Sequence, residues 1–336
     1  MNEPNPAIPP IEAAPLPAYK ERSTGLMVFG ILTLLLGCLV GLFVPLMLFG
    51  QMMAAKAPNA PPTNTTAILS AVAIYGGLAV ALIWLGIGSI KARRWARALL
   101  LIYSWSWLVM GIFMTVVMPF FMAKAFANLP PNAKTGQPAM PPAAITGVVI
   151  GMTIFFFVFF VLVPALWTFF YGSRHVKATC EARDPVTRWT DACPLPVLGF
   201  SLWTWLAVPI MLVMPLTGRA VMPCFGMFVS GLTGSLFCLV IAAVWGWAGW
   251  WLYQLDVRGW WLILVAMVLF MVSALLTYAH HDIIEMYQLQ GLPQAQIDQI
   301  QKMGLFTGNR MSWFTALGSL PFVGYLLFIK KYLHKA

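Results

Sequence analysis

From Gly25 to Met53 the chain reads GLMVFGILTLLLGCLVGLFVPLMLFGQMM, without one charged side chain. About 20 apolar residues in a helix already cross the hydrocarbon core of a bilayer, and backbone polar groups in lipid must be satisfied internally. Val148 to Tyr171 imposes the same condition again. Hydrophobic residues fill 60% of the 336 positions and charged residues only 9%, against roughly 25% charged in a soluble domain. Lipid, not water, is therefore the main solvent.

The length criterion predicts an all-α, polytopic transmembrane bundle of eight spans, near residues 25–50, 66–90, 98–122, 145–171, 197–217, 221–252, 260–281 and 312–330. The fifth carries Pro209 and Pro215, which invite a kink or break. No period-two alternation is present, so strands are not expected. The first span is too long for a signal-peptide core and reads as a retained helix. Residues 1–24, with six prolines, read as a disordered cytoplasmic tail.

Lysine and arginine set the orientation. The run KARRWAR, the central linker, the C-terminal end and Lys20, Arg22 and Arg258 place 14 of the 20 basic residues on one side; Lys56, Lys124, Lys134, Arg219, Lys302 and Arg310 fall on the other. The positive-inside rule puts both termini and the linker in the cytoplasm. A formal charge of +10 spread over short loops beside spans is a topology signal and an anionic-lipid contact, not a nucleic-acid footprint.

An internal repeat is suggested by Pro45 and Pro209, and by Arg94 and Arg258, each pair 164 positions apart. Pro164 and Pro321 stand 157 apart, each before an aromatic run with a basic flank. Four spans per unit give two units of equal orientation, residues 25–171 and 197–336, joined by a cytoplasmic linker at 172–196.

That linker contains VKATCEARDPVTRWTDACPLP, in which Cys180 and Cys193, with His175 upstream, form a weak metal-site candidate. Zinc binding favours paired CxxC motifs, which are missing, and a stable disulfide is not expected in a reducing cytoplasm. A connector explains more: Asp184-Pro185 ends a helix, Trp189 suits headgroup depth, and Pro194-Leu195-Pro196 favours an extended lead into the fifth span. The stretch TCEARDPVTRWTDACPLPVL resembles the central linker of uncharacterised bacterial multi-pass membrane proteins. The resemblance implies a bacterial membrane protein and supplies no activity.

No span interior contains Asp, Glu, Lys or Arg, the usual marks of a proton or ion path in lipid. HExxH, GxSxG and phosphate-loop motifs are missing as well. His281 and Glu285, at i and i+4 after the seventh span, could supply two metal ligands or an acid/base pair. The segment from Pro293 to Gly304 reads as an amphipathic surface helix. Small-xxx-small spacings at Gly37 and Gly41, Gly147 and Gly151, and Gly226, Ser230 and Gly234 mark close helix packing or a homo-oligomer face. The tryptophans between Trp245 and Trp261 read as an interfacial belt, with a lipid groove as the rival.

The expectation is a non-enzymatic scaffold or interaction protein, without a cofactor, that contacts membrane lipids and a protein partner. The alternative is a facilitator or transporter of lipid or small apolar solutes, with its path between the units. Reporter fusions after Arg97, Pro196 and Ala336 are expected to read as cytoplasmic, and fusions near Asn59, Asn132 and Gln294 as external. A cytoplasmic signal at Gln294 would remove a span from the count.

Overall fold

A computed structural model describes residues 19–55, 65–127, 141–216, 220–303 and 308–333. The Pro-rich tail up to residue 18 lies outside them, as do Lys56, Lys134 and Arg219 of the minor basic side. Within them the protein is an all-α polytopic bundle with one small hairpin. The first half contains α1 (Ser23–Ala55), α2 (Thr65–Ile90), α3 (Arg94–Ala127), α4 (Pro142–Phe157) and α5 (Val163–Gly172). The linker forms α6 (Arg174–Arg183) and a short 3-10 turn, Trp189–Asp191. The second half contains α7 (Leu195–Leu216), strands β1 (Met222–Cys224) and β2 (Met227–Val229), α8 (Gly231–Tyr253) and α9 (Val257–His280). It ends with α10 (Ile283–Leu289), α11 (Gln294–Met303) and α12 (Gly308–Ile329).

Among the described residues, seven helical stretches are long and apolar enough to span a membrane. The eighth expected span corresponds to α12, 22 residues long. It lies antiparallel to α9, because Trp260 Nε1 donates to Leu326 O at 2.6 Å while Ser319 Oγ reaches Met271 Sδ at 3.3 Å.

Four boundaries differ from expectation for local reasons. Residues 222–229 form an antiparallel hairpin, pairing Met222 with Val229 and Cys224 with Met227, so Gly226 and Ser230 precede the sixth span. Gly226, at φ 97°, makes the turn, and its N–H and that of Phe225 are satisfied by Thr277 Oγ1 and Ser273 Oγ of α9. The fifth span remains one helix with Pro209 and Pro215 inside it. The fourth is interrupted by a π-helical turn, Val158–Leu162, just before Pro164. Proline cannot donate to the Phe160 carbonyl four residues back. Gly111 of α3 lies against that carbonyl so closely that a β-carbon there would overlap it. Finally, Pro194 and Pro196 do not make an extended lead: α7 starts at Leu195, and Pro194 O accepts from Leu198 N, the first-turn position where a missing N–H costs nothing.

The connections at 91–93 and 254–256 close alike. Arg93 N bonds Gly88 O and Ala92 N bonds Ser89 O; Asp256 N bonds Trp251 O and Leu255 N bonds Leu252 O. Ala92 (φ 50°) and Leu255 (φ 62°) occupy the left-handed position of this helix-ending motif. They stand 163 positions apart, one fewer than the 164 separating Arg94 from Arg258.

Buried residues gather at the end carrying the basic loops. In the first half Leu26, Leu85, Leu100, Tyr171 and Val176 pack together, and in the second Val197, Phe200, Leu252, Trp260 and Leu326. Trp260 is thus core, while Trp247, Trp250 and Trp261 face outward. The halves meet along α3 and α7, where Gly199 lies against Ile102 and Trp203 Nε1 donates to Ser106 Oγ at 2.8 Å.

The glycine faces divide sharply. A methyl group at Gly86 would stand 2.8 Å from Gly30 O, and one at Gly37 would stand 2.9 Å from Ile83 N. Here α1 and α2 touch backbone to backbone. Gly41 has ordinary room beside Ala79, at 3.5 Å, and Gly147 and Gly151 meet nothing within 4 Å, so the packing expected of the fourth span through those two glycines is not made. Gly86→Ala and Gly37→Ala are expected to cost about 1–3 kcal/mol each by overpacking. Gly41→Ala and Gly151→Ala should leave the detergent melting temperature near wild type; equal loss at all four positions would contradict this division.

Candidate functional site

The linker is folded onto the basic end of the bundle rather than hanging from it. Ser173 caps α6 by accepting from His175 N at 3.3 Å. One face of α6 then receives the residues preceding α1. Lys20 N donates to His175 Nδ1 at 3.3 Å, Arg22 N to Thr179 Oγ1 at 3.1 Å, and Arg183 pairs with Glu21 at 2.7 Å. Residues 19–24, expected within the disordered tail, are therefore partly tied down, and the helix already begins at Ser23.

Where α6 stops, Asp184 turns inward, only 1% exposed. Its carboxylate accepts from Arg188 at 3.1 Å, from Arg93 at 3.4 Å and from the Arg94 backbone N–H at 3.3 Å. Burial opposes its ionisation. The hydrogen bonds from Arg188 and Arg94 N and the charges of Arg188 and Arg93 outweigh that, holding the carboxyl below its usual range. The 3-10 turn closes the far side: Asp191 Oδ2 accepts from Arg188 N at 2.9 Å, and Trp189 O accepts from Tyr253 OH at 2.9 Å. The second half is thereby fastened to the linker, and within that half Tyr325 OH donates to Pro196 O, in the first turn of α7, at 3.0 Å.

Between the first turns of α3, α6 and the 3-10 turn lies a cleft of about 380 Å³, bordered also by Leu195, Pro196 and Tyr332. Its charged lining consists of Arg94, Arg97, Lys177, Glu181 and Asp191. Glu181 lies 3.6 Å from Arg94 and 3.8 Å from Lys177, and Asp191 lies 3.4 Å from Arg94. Arg97 has no such partner among the described residues, and its buried Nε makes no hydrogen bond. Thr190, 2% exposed, likewise has an unpaired Oγ1.

Of the sequence candidates, Cys180 and Cys193 both border this cleft and both are buried free thiols. Burial raises each thiol to about 11, which disfavours the thiolate that a nucleophile needs. His175 is not brought to them; its Nδ1 is occupied by the Lys20 backbone. At the opposite end, His281 Nδ1 and Glu285 Oε2 are 2.7 Å apart in a half-exposed pair, not on one helix face as expected but across the break between α9 and α10, where His281 and Asp282 are extended. Among the described residues no group of three or more His, Cys, Asp or Glu converges to hold a metal ion.

Arg97 and Thr190 were missed as site residues. Arg97 registered only as a topology charge. Its spacing from Arg94, i to i+3, was the available signal, since both then share a helix face. Thr190 gave no signal, because only the folded linker buries it. No family model, no curated protein and no solved structure matches the chain.

Asp184→Asn keeps the shape and removes the charge. It is expected to cost about 1–3 kcal/mol, below a fully buried pair because Arg93 and Arg188 keep 42% and 36% side-chain exposure. The sign with pH follows from the lowered folded-state value. The contribution is present above the unfolded carboxyl value of about 3.9 and is lost as pH falls below it. Melting temperatures of wild type and variant should converge in acid; a constant gap would show that the charge is not responsible.

Proposed function

We propose that this multi-pass membrane protein is a non-enzymatic scaffold or interaction protein of the bacterial inner membrane, with both termini cytoplasmic. One observation carries the reading: hydroxyls within the spans are turned back on their own or an adjacent backbone. Thr33 bonds Phe29 O, Ser104 bonds Leu101 O, Ser201 bonds Gly249 O and Thr277 bonds Ser273 O. Side chains spent in this way fasten helices and leave few donors to line a polar path; among the described residues, Thr115 and Thr168 have buried hydroxyls without a partner. The presented surfaces are the folded linker at one end and the hairpin with α10 and α11 at the other. The two matching helix-ending turns support reading the halves as a tandem repeat of four spans each.

A second reading, lipid handling between the halves, is favoured by the position of the cleft at the foot of the α3–α7 seam. Reconstituted vesicles separate the two. A scaffold leaves the release of trapped small solutes and the transbilayer exchange of fluorescent phospholipids at protein-free rates. Acceleration of either moves the protein to the transporter class. In native membranes, cross-linking from the linker face is expected to join the intact protein to a partner in fixed ratio.

A further inference from the structure

Two buried polar atoms without partners border one cleft, and they ask for the same thing. Thr190 Oγ1 is a donor shut away from bulk water, and Arg97 Nε is a cationic donor without an acceptor. Leaving such a group unpaired costs about 1–3 kcal/mol, more where charge is involved. The local charge balance sharpens the demand. Three cations and two carboxylates line the cleft. The carboxylates lie within ion-pair range of Arg94 and Lys177 and act on Arg97 only at longer range, so the cleft keeps one positive charge in excess. A metal cation is disfavoured there. An anion with several acceptor oxygens answers both atoms at once.

The position narrows the class of anion. Arg97 stands one turn inside α3, beside the basic turn at 91–94, which is headgroup depth for a chain oriented by its basic loops. One wall of the cleft is polar, whereas Leu195, Pro196 and Tyr332 make another side apolar or amphipathic. Along the adjoining seam Trp105, Trp203 and Leu206 are exposed, a surface suited to acyl chains. We propose that the cleft holds the phosphate of an anionic phospholipid headgroup, with Arg97 supplying the charge and Thr190 a hydroxyl donor. The acyl chains then run outward along the α3–α7 seam. Such a lipid would bridge the halves on the same face as the Asp184 cluster. The site does not rest on the scaffold reading, since a bound structural lipid serves a scaffold and a transporter alike; solute release and lipid exchange test the one, lipid occupancy the other.

The test is native mass spectrometry of the full chain in a nonionic detergent. Short-chain phosphatidylglycerol and phosphatidylcholine are added at equal concentration, with sodium phosphate in a separate arm. Wild type is expected to retain phosphatidylglycerol preferentially. Arg97→Gln should weaken that retention about tenfold, the loss of one charge-assisted contact, and Thr190→Val by a smaller factor. Lys91→Gln, an exposed cation at the same end that does not border the cleft, should leave it unchanged. If Arg97→Gln does not fold, the headgroup preference of wild type and the response of the isosteric Thr190→Val decide. Equal retention of the two lipids, or phosphatidylglycerol binding unchanged in both variants, overturns the proposal. Stabilisation by inorganic phosphate with no lipid preference, lost in Arg97→Gln, would replace the headgroup by a free anion and overturn it as well.

Discussion

Asp184 is a carboxylate almost wholly removed from solvent, and it is held by arginines that arrive from two parts of the chain. Arg93 and the Arg94 backbone come from the turn between α2 and α3, and Arg188 comes from the linker itself. A charge in that position is tolerable only when its lone pairs are filled. Satisfying it fixes the linker against the first half of the bundle. Once the linker is fixed, Trp189 O is placed to receive Tyr253 of the second half. The joint between the halves is therefore ionic and hydrogen-bonded at the basic end, and among the described residues the α3–α7 seam supports it along the helices.

Such a division of labour follows from the solvent. Inside a bilayer apolar side chains gain little by leaving lipid for protein, so helices associate where backbones can approach or hydroxyls can reach a carbonyl. The α1–α2 pair uses both, through Gly30, Gly37 and Gly86 and through Ser89 Oγ, which bonds Leu26 O at 3.0 Å. The α7–α8 pair also uses both, with Ser201 bonded to Gly249 O and Gly249 pressed against Thr204. At the basic end, water and headgroups give charged groups somewhere to work, and there the largest buried clusters form. The cleft with Arg97 and Thr190 lies on this border, where an arginine can be charged and still be half withdrawn from water.

Most of the architecture was legible because it rests on length and hydropathy. Apolar runs near or beyond 20 residues can be little else than spans. The contact of His281 with Glu285 was expected from a shared helix face but is made differently, across the break between α9 and α10. The π-helical turn before Pro164 was less legible: proline announces a freed carbonyl but not the neighbour that accommodates it, which is Gly111, 53 positions earlier. The hairpin at 222–229 was hidden by its apolar composition, which reads equally well as the start of a helix; its backbone is held by Ser273 and Thr277, about 50 residues away.

The sequence by itself determined that this chain lives in a membrane as a bundle of long helices, and roughly where each apolar run lies. Those properties depend on the transfer of local segments between water and lipid, and each segment carries its own answer. Tertiary structure decided which glycines are contacts and which face outward, that the linker is a clasp rather than a tether, and that Arg97 and Thr190 share a cleft. Each of these depends on what stands opposite a residue, and in a bundle that neighbour can come from anywhere in the chain. A small residue at helical spacing, a buried threonine or an arginine in a basic turn looks the same whether it is paired or waiting for a partner.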